Sequence, residues 1–193
     1  MGTGGWTGIW PHEAATQSFA EQLAQGLKTW PGGRDARIEL RGQLGAGKTT
    51  LVRHLLRAAG VQGRIKSPTY AVVEPHQAAH PEGQDEGAWP IWHFDFYRFN
   101  DPHEWEDAGF RDIFAAAGLK LMEWPDKVAG QLPPPDWVIA LEVIDQDQRR
   151  VHLSAGTERG QIWLQTWLDT CLKPPQPIGP SSGPKALEAS DAR

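Results

Sequence analysis

The chain has 193 residues, of which 39% are hydrophobic and 22% charged, with a formal net charge of −5. This length gives room for one α/β domain with a sizeable core rather than two, and the negative charge argues against a strongly basic nucleic-acid surface, so any RNA contact is expected to be indirect or shared with a partner. The single Cys171 excludes an intramolecular disulfide and a cysteine-rich metal site; no apolar stretch approaches the ~18 residues of a membrane span and MGTGGWTGIW lacks the pattern of a signal peptide, so a cytoplasmic location is expected.

Along the chain, Ala15, Phe19, Leu23, Ala24 and Leu27 share one face of an amphipathic helix predicted over 13–28, which TWPGGRD then breaks. Ile38 and Leu40 alternate with charged residues as in a strand, while Leu51, Val52, Leu55, Leu56 and Ala59 repeat at helical spacing up to Gly60. Between strand and helix, Gly42, Gly47, Lys48 and Thr49 fit the GxxxxGK(S/T) pattern. Its glycines let backbone N–H groups curl round phosphates, Lys48 can reach the β and γ oxygens, and Thr49 can offer its hydroxyl to Mg²⁺. The following helix points its positive end at the anion. A nucleoside triphosphate is therefore the expected ligand.

In SPTYAVVEP, Pro68 holds Ser67 extended and a strand is predicted over 70–73, followed by a polar surface loop over 76–90. Residues 91–97 alternate Trp92, Phe94 and Phe96 against Ile91, His93, Asp95 and Tyr97, a strand with aromatics on one face. DPHEWEDAGFRDIF reads as a helix opened by a proline and acidic residues, LKLMEW as a short strand, and PDKVAGQLPPP as an irregular connection. DWVIALEVI is a further strand that RRVHLSA can pair with, and residues 158–172 form a closing amphipathic helix. Beyond Lys173 the composition turns to Pro, Ser, Gly and Ala, so the expected organisation is one domain over 1–172 and a disordered tail over 173–193. The ten tryptophans form no repeat and are read as core or rim packing. The expected fold is a P-loop α/β layer: a mixed sheet of parallel central strands with antiparallel additions, flanked by helices.

Mg²⁺ needs oxygen ligands beyond Thr49, and an attacking water needs an orienting group. Asp95 and Glu123 each end an apolar strand, where open α/β sheets gather ligands, so the expected metal set is Thr49, Asp95 and Glu123 and the expected catalytic set Lys48, Asp95 and Glu123. The competing reading for each carboxylate is a solvent-facing acid at a sheet edge. The seven histidines include His76, His80, His93 and His103 but show no metal-ligand spacing, so they are read as surface or packing residues, and no GxSxG frame surrounds a serine.

GQLGAGKTTL, KSPTY, VEP, HFDFYRFNDPHE and MEWPDKV stand in the order and approximate spacing of the TsaE family, and the resemblance runs from about Glu13 to about Gly156. It implies a P-loop ATPase of tRNA threonylcarbamoyladenosine biosynthesis that works with TsaB- and TsaD-like proteins to modify adenosine next to the anticodon. Carried over residue by residue, it implies that Gly45, Ala46, Gly47, Lys48, Thr49 and Thr50 hold the phosphates and that Thr69 senses the γ-phosphate. It further implies that Glu13 and Thr16 flank the base or ribose, that Trp124 lies beside the nucleotide, and that Arg149 or Arg150 approaches the phosphates. Gln43 and Ala20 depart from the family pattern, and the 76–90 loop and the tail are longer than in compact members; none removes a group the chemistry needs. The expected function is a slow ATPase acting as an accessory subunit. A small-molecule kinase is the alternative, although Arg98 and Arg111 are too isolated for an arginine-rich lid. A GTP switch would want an NKxD sequence that the chain lacks.

Overall fold

The computed structural model describes residues 5–68, 71–79, 88–99 and 109–171. These contain strands β1 (Trp6–Trp10), β2 (Arg37–Arg41), β3 (Val73–Ala78), β4 (Trp89–Asp95), β5 (Leu119–Glu123), β6 (Trp137–Val143) and β7 (Arg149–Ala155). They also contain helices α1 (Glu13–Thr29), α2 (Lys48–Ala59), α3 (Phe110–Ala115) and α4 (Glu158–Cys171). One mixed sheet runs in the order β1-β7-β6-β2-β5-β4-β3. The four strands β6, β2, β5 and β4 are mutually parallel, and β7, β1 and β3 join antiparallel, which is the expected α/β layer.

Period-two alternation sorts the sheet into two unequal cores. Ile38, Leu40, Leu121, Ile139 and Val151 face a large cluster closed by α1, α2 and α4, with Leu23, Leu51 and Trp163 fully covered. On the other face, Phe94 and Met122 meet Phe96, Phe99 and Phe110 in a smaller aromatic cluster roofed by α3. Phe94 and Phe96 lie 5.6 Å apart, and Phe94 meets Phe110 edge-on at 5.7 Å. Trp92, Phe94 and Phe96 thus share a face, as the alternation in 91–97 requires.

Two strands differ from expectation. The strand expected over 70–73 begins instead at Val73, because Val72 adopts φ 63°, a left-handed turn that a β-branched residue rarely takes and that interrupts extension. It then continues through Ala78 into the stretch expected to be loop, paired with β4 from Val73↔Phe94 to Ala78↔Trp89. As an edge strand, β3 tolerates Pro75. Residues 6–10 form β1, whose pairing partner β7 lies at the opposite end of the chain. Its tryptophans supply the reason: Trp10 packs on Phe19 at 5.0 Å and Trp6 on Trp167 at 5.1 Å. The expectations for Thr69, Tyr70, His80, His103, the start of the 101–114 helix and the tail lie outside the described residues.

Candidate functional site

The loop between β2 and α2 takes its shape from three glycines. Gly42 has φ 139°, and a Cβ there would lie 2.3 Å from the Leu141 carbonyl oxygen, so only glycine lets the end of β2 pass the end of β6. Gly45 at φ 78° and Gly47 at φ 101° also need the left-handed region, and a Cβ on either would meet nothing within 4 Å. The loop is therefore open on its outer side. Gly47 caps α2 without any side-chain hydrogen bond, leaving the first-turn N–H groups of the helix uncapped by side chains. From behind, Arg149 Nε donates to the Ala46 carbonyl at 3.1 Å, while its NH1 binds the carbonyls of Asp145, Gln146 and Gln148. Arg149 thus ties the loop to the β6–β7 turn. Arg150 points away, in an exposed 2.6 Å ion pair with Glu142.

The expected chemical side chains converge on this loop. Lys48 is only 3% exposed; its Nζ donates to the Gly42 and Gln43 carbonyls at 2.8 and 3.0 Å and stands 3.9 Å over the Trp124 ring. Burial lowers the pKa of its ammonium, against the opposing pull of Glu123 and Asp95. Thr49 Oγ1 donates to Glu123, 2.9 and 3.0 Å from its two oxygens. Asp95 and Glu123 are register partners on the parallel strands β4 and β5, so both carboxylates leave the sheet side by side at its carboxyl edge. Burial pushes the Asp95 carboxyl above its usual range; the Tyr97 amide, His93 and Lys48 act against this, and Glu123 adds to it. Loss of water around the carboxyl is the main reason, with the Glu123 charge a smaller one, and it makes Asp95 a more basic carboxylate than an exposed one.

These groups line a cleft of about 370 Å³, whose walls include Gly45, Lys48, Thr49, Asp95, Glu123 and Trp124. A second cavity of about 140 Å³ borders it through Gly47 and Thr50 and is lined by Glu13, Thr16, Ala46 and Arg149. Glu13, at the start of α1, accepts from His54 Nε2 of α2 at 2.9 Å, and Thr16 is buried. The site therefore has an open glycine loop with a helix N-terminus for an anion, a lysine, and a hydroxyl with two carboxylates for a hard cation. Among the described residues no three His, Cys, Asp or Glu side chains cluster to hold a metal. A hydroxyl and two carboxylates are the kind of oxygen donor set that suits Mg²⁺ when phosphate and water complete it.

Sequence reasoning passed over two lining residues and one buried residue behind the cleft. Leu44 at the loop tip is 72% exposed and Tyr97 is 47% exposed with its ring 5.0 Å from Trp124; both border the cleft. His93 was read as packing, yet its Nε2 lies 2.8 Å from Glu123 Oε1. The signal for it was the strand period, which places His93 on the same face of β4 as Asp95.

The chain is similar to known proteins over most of its length. The family model described as threonylcarbamoyl adenosine biosynthesis protein TsaE matches residues 10–151. The tRNA threonylcarbamoyladenosine biosynthesis protein TsaE of Haemophilus influenzae is 38% identical over 151 residues, covering 78% of this chain and 90% of that protein. The protein of the same name from Bacillus subtilis is 30% identical over 125 residues, covering 65% and 73%. The crystal structure of Bacillus subtilis YdiB superposes with a TM-score of 0.65 at 21% identity, over 86% of this chain and 95% of that one, which is a likeness of fold. With the loop, the paired strand-end carboxylates and a family model spanning most of the sheet, the chain belongs to the TsaE family of threonylcarbamoyl adenosine biosynthesis proteins.

Proposed function

We propose that the chain binds ATP with Mg²⁺, hydrolyses it slowly, and serves as an accessory subunit of the machinery that makes threonylcarbamoyladenosine in tRNA, in the cytoplasm and beside TsaB- and TsaD-like proteins. The observation that carries this reading is the meeting of Thr49 with Glu123 at the open end of the glycine loop, with Asp95 in register beside them.

In this reading the backbone N–H groups of residues 45–50 and the N-terminus of α2 surround the β and γ phosphates. Lys48 exchanges its contacts with the Gly42 and Gln43 carbonyls for phosphate oxygens and neutralises charge that builds on them during reaction. Thr49, Asp95 and Glu123 would hold Mg²⁺, which would supply positive charge against the phosphate. Asp95, whose carboxyl burial holds above its usual range, orients water for in-line attack on the γ phosphorus; the bond to the bridging oxygen breaks, giving ADP and inorganic phosphate. Trp124 walls the cleft, and the smaller cavity lined by Glu13, Thr16 and Arg149 takes the ribose or base. Thr69 keeps its implied role as a γ-phosphate sensor.

Calorimetric titration of the purified protein with ATP and Mg²⁺, followed by phosphate-release kinetics, tests the reading. Heat of binding and slow release without an added acceptor are expected. Lys48→Ala abolishes both, whereas Asp95→Ala and Glu123→Ala still bind ATP and lose about 100-fold or more in turnover. Wild-type turnover in both carboxylate variants would remove the metal assignment, and transfer of phosphate to a small metabolite would replace hydrolysis by a kinase activity.

A further inference from the structure

His93 is an imidazole in a place that packing alone would fill with an aliphatic side chain. It stands on β4 between Ile91, which belongs to the large core, and Asp95, which lines the cleft, and it is 1% exposed. Burying an imidazole without using its polar atoms is costly. Here one nitrogen is used, and it is used on a single group: Nε2 lies 2.8 Å from Glu123 Oε1, on a carboxylate that is itself 2% exposed. A carboxylate oxygen only accepts, so the proton of this bond sits on Nε2. The ring's other nitrogen, Nδ1, is buried without a hydrogen-bond partner.

The other side-chain hydrogen bond to Glu123 among the described residues comes from the Thr49 hydroxyl. Thr49 Oγ1 donates a hydrogen bond to that carboxylate and keeps its lone pairs for a cation, and it comes from the first turn of α2. The His93 bond comes from the sheet instead. It ties Glu123, at the end of β5, to the neighbouring parallel strand β4.

We propose that His93 is a positioning residue: its Nε2–H holds the Glu123 carboxylate in the orientation that meets Thr49, and thereby sets how strongly Mg²⁺ tightens ATP binding. This rests on the ATP and Mg²⁺ reading above and goes beyond it by naming the residue that sets the metal coupling.

The test is calorimetric titration of ATP with and without Mg²⁺ on the wild-type protein, His93→Leu and His93→Gln. Leucine fills the volume without a donor, and glutamine restores an N–H near the position of Nε2. His93→Leu is expected to lose about tenfold or more of the affinity gain that Mg²⁺ brings, with Mg²⁺-free affinity unchanged, and His93→Gln to regain most of it. An undiminished Mg²⁺ gain in His93→Leu overturns the proposal, as does an equal loss in both variants with Mg²⁺-free binding also weakened, which marks a purely structural role. Long-range ¹H–¹⁵N spectra of the nucleotide-free wild-type protein provide a second readout that needs no variant to fold. The proton is expected on His93 Nε2, and a proton on Nδ1 alone overturns the proposal. Failure of the wild-type protein to take up ATP at all would instead remove the functional reading and this inference with it.

Discussion

Trp124 carries backbone strain at the centre of the site. It has φ 58° and ψ 46°, between the end of β5 and Pro125, and its ring receives the Lys48 ammonium. A bulky residue in the left-handed region costs about 1–2 kcal/mol relative to an extended conformation, whereas glycine does not pay it. Trp124→Gly and Trp124→Ala should therefore weaken ATP binding alike through loss of the ring, while chemical denaturation finds the glycine variant more stable than the alanine variant by about 1 kcal/mol. Gly42 behaves oppositely: with a Cβ 2.3 Å from the Leu141 carbonyl, Gly42→Ala should lose about 1–3 kcal/mol in the same assay. At this scale the loop glycines, Lys48, Thr49, Asp95 and Glu123 were legible because each obeys a local rule, a spacing or a strand end. His93 was not, since its partner Glu123 is 30 residues away and only the β4–β5 register brings the two together. Arg149 and Arg150 could not be told apart for a similar reason: the carbonyl that selects Arg149 belongs to Ala46, across the molecule.

Among the elements, the junction of β2, β6 and α4 depends on one carboxylate. Asp136 accepts from the Arg37 amide at 2.9 Å, the Thr157 hydroxyl at 2.7 Å and the Arg159 guanidinium at 2.5 Å, and is 1% exposed. Burial alone would push its pKa up; the bonds from Arg159, Thr157 and the Arg37 amide outweigh burial and hold it below the usual carboxylate range. A depressed folded value means stability that is full above the unfolded value of about 3.9 and is lost as pH falls through the folded one. Asp136→Asn should lower stability at neutral pH by about 3 kcal/mol and flatten its decline in acid below about pH 4, both followed by denaturant titration across pH. Long helices and buried central strands announced themselves by periodicity. The edge strands did not: β1 is short and glycine-bearing, and β3 is polar and contains Pro75, so each is defined by a neighbour rather than by its own composition. The tryptophans make β1 integral, and Trp10→Ala should cost about 3–5 kcal/mol, visible as a drop in melting temperature of roughly 6–20 °C for a domain of this size.

For the molecule as a whole, chemistry collects at the carboxyl edge of the parallel strands, where β2, β5 and β4 end together. That much followed from a phosphate loop preceded by a strand, and the mixed sheet followed from the order of apolar runs. A net charge of −5 leaves little long-range attraction for a polyanion. Filter-binding at about 0.15 M salt should accordingly find no retention of tRNA by the isolated chain, with retention appearing only once TsaB- and TsaD-like proteins are added. Strong binding by the chain alone would show that a local basic patch had been underestimated.

The ammonium of Lys48 lies over one indole, and that indole is a natural spectroscopic gauge. In protein labelled with fluorotryptophan, the ¹⁹F resonance of Trp124, assigned by its disappearance in Trp124→Phe, would shift when the lysine leaves the ring for a phosphate. The occupancy of the cleft could then be followed inside a reconstituted assembly, without attaching any dye.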